Sequence, residues 1–219
     1  MMNIPNKISL TRICLMPVFI VFALLSFPGS KFIALGLFII AAISDAVDGY
    51  IARHYNMVTD LGKFLDPIAD KLLATTGLLI LIVGCNPIIP IPYGLIVMFI
   101  MILRDYEVTG IRQIGQLKGK IIAADKVAKT KANFLYATLV YGLLINALRD
   151  TAANGTEFMK YFTLVFYVFV GITTALIIIS GLVYLINNFS VFKEDKKEES
   201  KPVEDSIDTT KETKTKKSK

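Results

Sequence analysis

Asp45, Asp48, Asp66 and Asp70 fall within SDAVDGYIARHYNMVTDLGKFLDPIADKL, residues 44–72, directly after the apolar run FIALGLFIIAAI. Asp45, Asp48, Gly49, Ala52 and Arg53 stand at i, i+3, i+4, i+7 and i+8, a single face of an α-helix, and Asp66 and Asp70 share a face at i and i+4. A carboxylate placed in hydrocarbon costs roughly 2.5 to 3.5 kcal/mol even on the lenient insertion scale, so four would cost on the order of 10 kcal/mol. One such residue could be a helix cap or half of an interfacial ion pair, but four at this spacing call for a cation between them. Arg53 and Lys71 are too few to neutralise the group. Oxygen-only ligands with open positions suit Mg²⁺ or Mn²⁺, ions that keep waters and bridge substrate phosphates. With a single His in the chain and no Cys in this stretch, zinc is disfavoured. Gly49 and Ala52 remove bulk beside the acids and leave a slot for an extended ligand, and Gly62 is expected to let the following loop turn back. His54, alone at a helix end, is given no role.

The elements that must position these acids are apolar. Of 219 residues, 54% are hydrophobic and only 19% charged, and the mean hydropathy is +0.58, which marks a membrane protein. Six segments read as all-α spans: 9–27, 32–52, 66–84, 91–113, 126–148 and 158–187. Asn6 is expected to cap the first helix, which would start along the membrane surface. The first thirty residues, interrupted by Pro17 and lacking a small-residue cleavage site, read as a retained helix rather than a secretory signal. The aromatics of YFTLVFYVFV in the sixth span are expected to face lipid or pack. Cys14 and Cys85 are placed near opposite faces, about 30 Å apart by bilayer thickness, as inert thiols beyond disulfide reach.

Six spans put both termini on one side. That side gathers Lys7, Arg12, Arg53, Lys63, Lys118, Lys120 and Lys126, against little more than Lys31, Arg149 and Lys160 opposite. The positive-inside rule therefore makes the termini and the acidic stretch cytoplasmic. The second to fifth spans each turn polar on that side, at Ser44, before Leu72, from Arg104 and before Phe134. Polar groups at membrane depth are tolerated where they line a water-filled cavity, which predicts a cytoplasm-facing polar bowl. Residues 193–219 alternate lysine with acid, have almost nothing apolar to bury, and are expected to be a disordered tail after a membrane domain of residues 1–192. Nucleic acid is not an expected partner.

Asp45-x-x-Asp48-Gly49-x-x-Ala52-Arg53, then eight residues, then Gly62-x-x-x-Asp66-x-x-x-Asp70 resembles the signature of the CDP-alcohol phosphotransferases, with every fixed position filled. NIPNKISLTRICLMPVF, GKFLDPIADKLL and LRDYEVTGIR are similar to the bacterial branch that acts on glycerol 3-phosphate, and the likeness runs from Asn3 to about Lys193. The resemblance implies a six-helix membrane enzyme, commonly a homodimer in the bacterial cell membrane, that displaces CMP from CDP-diacylglycerol with an alcohol. It implies that Asp45, Asp48, Asp66 and Asp70 hold a pair of Mg²⁺ or Mn²⁺ ions, that Asp70 is also the base, and that Asp48, Gly49, Ala52, Arg53 and Gly62 line the nucleotide slot. For glycerol 3-phosphate it points to Arg104, Arg112, Lys126 and Lys129 as cations for the acceptor phosphate. The branch often shows Gly-Lys-x-Lys-Thr at the fifth span, whereas here Asp125-Lys126-Val127-Ala128-Lys129-Thr130-Lys131 leaves Lys126, Lys129 and Lys131 as alternatives. Two other readings are consistent with the acids: the same fold with serine, inositol phosphate or phosphatidylglycerol as acceptor, and a cation or proton transporter. The acids cluster towards one face, and segments such as 78–83 offer no polar stepping stones, which disfavours the transporter.

Overall fold

A computed structural model of the chain describes residues 3–54, 59–118, 126–150 and 157–189. The expected tail and the turn around DTAANGT lie outside these residues. Every element within them is helical: α1 (Ile4–Leu24), α2 (Ser30–His54), α3 (Asp60–Val83), α4 (Ile91–Leu117), α5 (Lys126–Arg149) and α6 (Glu157–Asn188). All six coincide with the apolar segments, and the differences are at the ends.

α3 begins at Asp60, not Asp66, because Thr59 caps it: the Thr59 Oγ1 accepts the Gly62 N–H at 3.1 Å. Gly62 therefore lies in the first helical turn instead of bending a loop. α1 begins at Ile4 after Asn3, so Asn6 is inside the helix, buried, and does not cap it. Its Oδ1 accepts a hydrogen bond from Thr59 Oγ1 at 2.9 Å, joining α1 to the start of α3. Pro17 sits within α1.

Among the described residues, α1, α2 and α6 are long and apolar enough to cross a membrane. α3 and α4 carry their charges in one half, and α5 carries Lys126, Lys129 and Lys131 at its start and Arg149 at its end. Large side chains such as Ile96, Phe99, Leu103, Leu164, Val168, Ile178 and Ile186 are exposed along the helix exteriors. So much outward apolar surface suits lipid and not water.

α1 packs on α2 and α3, α5 on α2, α3 and α6, and α4 on α3 and α6. Phe19 meets Phe38 at 5.5 Å between ring centroids, and both are fully buried with Leu73, Leu81, Leu139, Phe166 and Ile177. Two glycines permit this closeness. A Cβ on Gly77 would stand 2.6 Å from the Phe38 ring, and one on Gly142 would stand 2.6 Å from Leu81 and 2.7 Å from Phe166. At the end of α1 away from the acids, the Lys31 ammonium is buried and donates to the Ala23 and Leu25 carbonyls at 3.0 and 2.6 Å, placing positive charge at a helix C-terminus. Cys14 and Cys85 are free and exposed. Cys85 Sγ donates to the Leu24 carbonyl, ten residues along α1 from Cys14, so the separation along the helix axis is about 15 Å and not the expected membrane thickness.

Candidate active site

The acids meet α1. Asn6, Ser9, Arg12, Met16, Phe19 and Ala23 are all buried, at spacings of three and four that form one stripe of that helix. Its inner part packs in the core, and its first two turns turn polar where α2 and α3 carry their aspartates. Arg12 is only 1% exposed. Its Nη1 donates to Asp45 Oδ1 at 2.5 Å and its Nη2 to Asp48 Oδ2 at 2.6 Å, so one guanidinium spans two carboxylates a helical turn apart. Ser9 Oγ lies 2.7 Å from Asp66 Oδ1 and 3.2 Å from Asp48 Oδ2. It has one proton to share, and the shorter contact places most of that hydrogen bond on Asp66. Tyr136 of α5 donates its hydroxyl to Asp70 Oδ1.

A common pattern results. Each of the four carboxylates has one oxygen engaged by a neighbour, while its companion oxygen takes no hydrogen bond among the described residues. The carboxylates are also close enough to repel: Asp48 feels Asp45 and Asp66, and Asp70 feels Asp45. The cation that the sequence demands between the acids is thus supplied first by the chain itself, from α1. Lys71 is not part of it. Its ammonium donates to Thr109 Oγ1 at 2.9 Å and lies 5.6 Å from the centre of the Tyr106 ring, because the residue after Asp70 on a helix points about 100° away from it.

The donor set suits a hard divalent ion, since it consists of carboxylate oxygens with no imidazole or thiolate. It is not a ready-made nest: among the described residues, no three His, Cys, Asp or Glu side chains converge as a metal-holding group. The fit is therefore one of chemistry and of uncommitted oxygens.

The expected nucleotide slot is partly visible. Gly49 is in α2, within one turn of Asp45 and Asp48. The side chains of Ala52 and Arg53, in the last turn of α2, lie outside the described residues. Gly62 is buried against α1, where a Cβ would stand 2.7 Å from Asn6 Oδ1, so its lack of a side chain lets α3 approach α1.

Among the expected acceptor cations, Arg104 pairs with Asp105 at 3.2 Å and donates from Nη2 to Ser180 Oγ at 2.8 Å. Arg112 Nε donates to Tyr184 Oη at 3.2 Å. Both arginines thus touch α6. The side chains of Lys126 and Lys129 lie outside the described residues. Lys131 is buried, pairs with Asp105 at 3.2 Å and is within electrostatic reach of Asp70. Through Asp105 and Lys131, the arginine end of α4 is linked to the acidic site. Arg104 Nε and Glu107 Oε1 are buried with no hydrogen-bond partner among the described residues.

Sequence reasoning missed Ser9, Arg12, Asp105 and Tyr136. The stripe on α1 was a usable signal, because a Ser and an Arg in register with Met16 and Phe19 must face the core. Asp105 and Tyr136 have no comparable local signal, since both become meaningful only once α4 and α5 lie beside α3.

A family model for CDP-alcohol phosphatidyltransferase matches residues 2–192. A protein of Bacillus subtilis (strain 168), named CDP-diacylglycerol--glycerol-3-phosphate 3-phosphatidyltransferase, is 39% identical over 143 residues, covering 60% of this chain and 71% of that protein. One of the same name from Rickettsia bellii (strain RML369-C) is 35% identical over 182 residues, covering 83% of this chain and 93% of that protein. Another, from Rickettsia typhi (strain ATCC VR-144 / Wilmington), is 37% identical over 131 residues, covering 60% and 70%. With its aspartate signature complete and the match running through all six helices, the chain belongs to the CDP-alcohol phosphatidyltransferase family.

Proposed function

We propose that this protein transfers the phosphatidyl group of CDP-diacylglycerol to glycerol 3-phosphate, releasing CMP and forming phosphatidylglycerophosphate. The observation that carries the reading is the complete aspartate signature within a family match over residues 2–192, together with relatives that share one activity in their names. A transporter does not account for that match.

In the proposed reaction, a hydroxyl oxygen of glycerol 3-phosphate attacks the phosphorus that bears diacylglycerol. The bond from that phosphorus to the CMP oxygen breaks, CMP departs with the electron pair, and the hydroxyl proton passes to Asp70. Such a transfer needs positioning, charge stabilisation and one proton acceptor more than it needs a covalent nucleophile. Asp70 suits the acceptor role because its Oδ1 is held by Tyr136 while its other oxygen is uncommitted among the described residues. Asp45, Asp48, Asp66 and Asp70 would hold a pair of Mg²⁺ or Mn²⁺ ions. Bound there, the ions would offset the charge of the diphosphate and of the departing CMP. Gly49, Ala52 and Arg53 would border the nucleotide, with Gly62 keeping α3 against α1 beside it. Arg104, Arg112, Lys126 and Lys129, with Lys131, would supply cations for the acceptor phosphate.

Six spans around a cytoplasm-facing bowl, both termini cytoplasmic and a homodimer in a bacterial cell membrane complete the proposal. The outward apolar surfaces of the helices and the concentration of lysine and arginine at one end support it.

The test is CMP release by purified protein given CDP-diacylglycerol, Mg²⁺ and a panel of acceptors. Glycerol 3-phosphate should be preferred over serine, inositol phosphate and phosphatidylglycerol. Preference for an acceptor without phosphate would remove the role given to Arg104 and Arg112, and folded protein releasing no CMP with any of them would overturn the reading.

A further inference from the structure

We infer that Arg12 is a positioning residue of the acidic site: its guanidinium fork fixes the spacing of Asp45 and Asp48, with Ser9 tying Asp48 to Asp66, so that the first helix sets the affinity for divalent ions. The inference rests on the proposed function only in taking those aspartates as ion ligands.

Four observations carry it. Arg12 is almost wholly buried, although an arginine at the end of a membrane helix ordinarily extends its head to water. Its two terminal nitrogens go to different carboxylates, Asp45 and Asp48, and each contact uses one oxygen and leaves the other uncommitted among the described residues. Ser9, one turn earlier on the same stripe, lies between Asp48 and Asp66 and so joins the α2 acids to those of α3. Arg12 Nε is buried without a partner among the described residues, so this side chain is anchored entirely through the two acids.

A role in positioning and a role as a simple counter-charge predict different results. A positive charge beside the acids opposes a second cation, so by Coulomb's law alone Arg12 would weaken ion binding, and a lysine in its place would behave like the arginine. A fork that holds two carboxylates at a set distance has the opposite effect, and a lysine lacks the fork while keeping the charge. Partners that orient metal ligands contribute about 10- to 100-fold to affinity or activity.

The experiment is Mn²⁺ binding to the full chain in detergent, followed by the electron paramagnetic resonance of free Mn²⁺, for wild type and Arg12→Lys. CMP release is measured in parallel over a range of Mg²⁺ concentrations. Arg12→Lys is expected to bind Mn²⁺ about 10- to 100-fold more weakly and to regain turnover as Mg²⁺ is raised, which a misfolded protein would not do. Wild-type Mn²⁺ affinity in Arg12→Lys overturns the inference. If Arg12→Lys does not fold, Ser9→Ala tests the same link: the loss of one hydrogen bond should weaken Mn²⁺ by about 2- to 10-fold, and unchanged affinity would refute it. Wild type that binds Mn²⁺ yet releases no CMP sinks the proposed function and leaves this inference standing, whereas wild type that releases CMP yet binds no Mn²⁺ overturns this inference and leaves the transfer reaction standing.

Discussion

Two polar regions are embedded in this bundle, and they treat charge in opposite ways. At the α1–α2–α3 end, Arg12 is matched by two carboxylates and each carboxylate is held at one oxygen. Along the seam between α4 and α6, Arg104 divides its guanidinium between the Asp105 carboxylate and the Ser180 hydroxyl, Arg112 donates to the Tyr184 hydroxyl, and Arg104 Nε and Glu107 Oε1 have no hydrogen-bond partner among the described residues. The first region is a set of acids held apart in a fixed frame. The second is a set of cations in which two, Arg104 and Lys131, share the one carboxylate of Asp105 and Arg112 has a neutral hydroxyl partner, so an arriving anion would meet positive charge that is only partly matched. Asp105 joins the two, taking Arg104 and Lys131 while lying within reach of Asp70.

Breaking the acidic side should have the largest effect. Asp70→Asn removes the proposed proton acceptor but keeps shape and the contact with Tyr136, so kcat should fall by about 10²- to 10⁴-fold with CDP-diacylglycerol binding largely retained. Rapid-quench measurement of CMP formation checks this, and near-normal turnover would mean that another group takes the proton.

The cationic side should respond differently. Arg104→Gln keeps a donor for Ser180 but removes the charge. KM for glycerol 3-phosphate should rise by about 10- to 100-fold, the value of a charged hydrogen bond, while KM for CDP-diacylglycerol stays near wild type. Equal rises in both constants would show that the two regions act as one structural unit, contrary to the contrast drawn here.

A smaller and purely structural effect is expected at the core between them. Gly77→Val places atoms where the buried Phe38 ring now lies, 2.6 Å from the Cβ position. Overpacking of this kind costs about 1 to 3 kcal/mol, more than the helix propensity gained by replacing glycine. Thermal unfolding in detergent should show a lower midpoint, with Mn²⁺ affinity unchanged in the folded protein. Altered Mn²⁺ affinity would instead couple this packing to the acids.

The six helices were legible because each needs a long apolar run, and the acidic motif because Asp45, Asp48, Asp66 and Asp70 keep helical spacing. The same spacing misled at Lys71, where closeness in sequence to Asp70 suggested a pair that helix geometry forbids. Arg12 and Asn6 are ambiguous in sequence for a related reason: near a terminus, an arginine looks like a topology signal and an asparagine like a cap. Their burial is decided by where α2 and α3 lie, and these contacts span more than thirty residues of chain. The apolar segment of the third span starts at Asp66, but the helix starts earlier, because Thr59 caps a helix whose first turns are polar.

The central claim is that the four aspartates, framed by Arg12, Ser9 and Tyr136, bind divalent ions. The most direct measurement is the stoichiometry of Mn²⁺ in the presence of CDP-diacylglycerol, for wild type and for the double variant Asp45→Asn with Asp66→Asn. Two ions per wild-type chain and none tightly held by the variant are predicted. Equal binding by the two proteins, or none by wild type, would contradict the account.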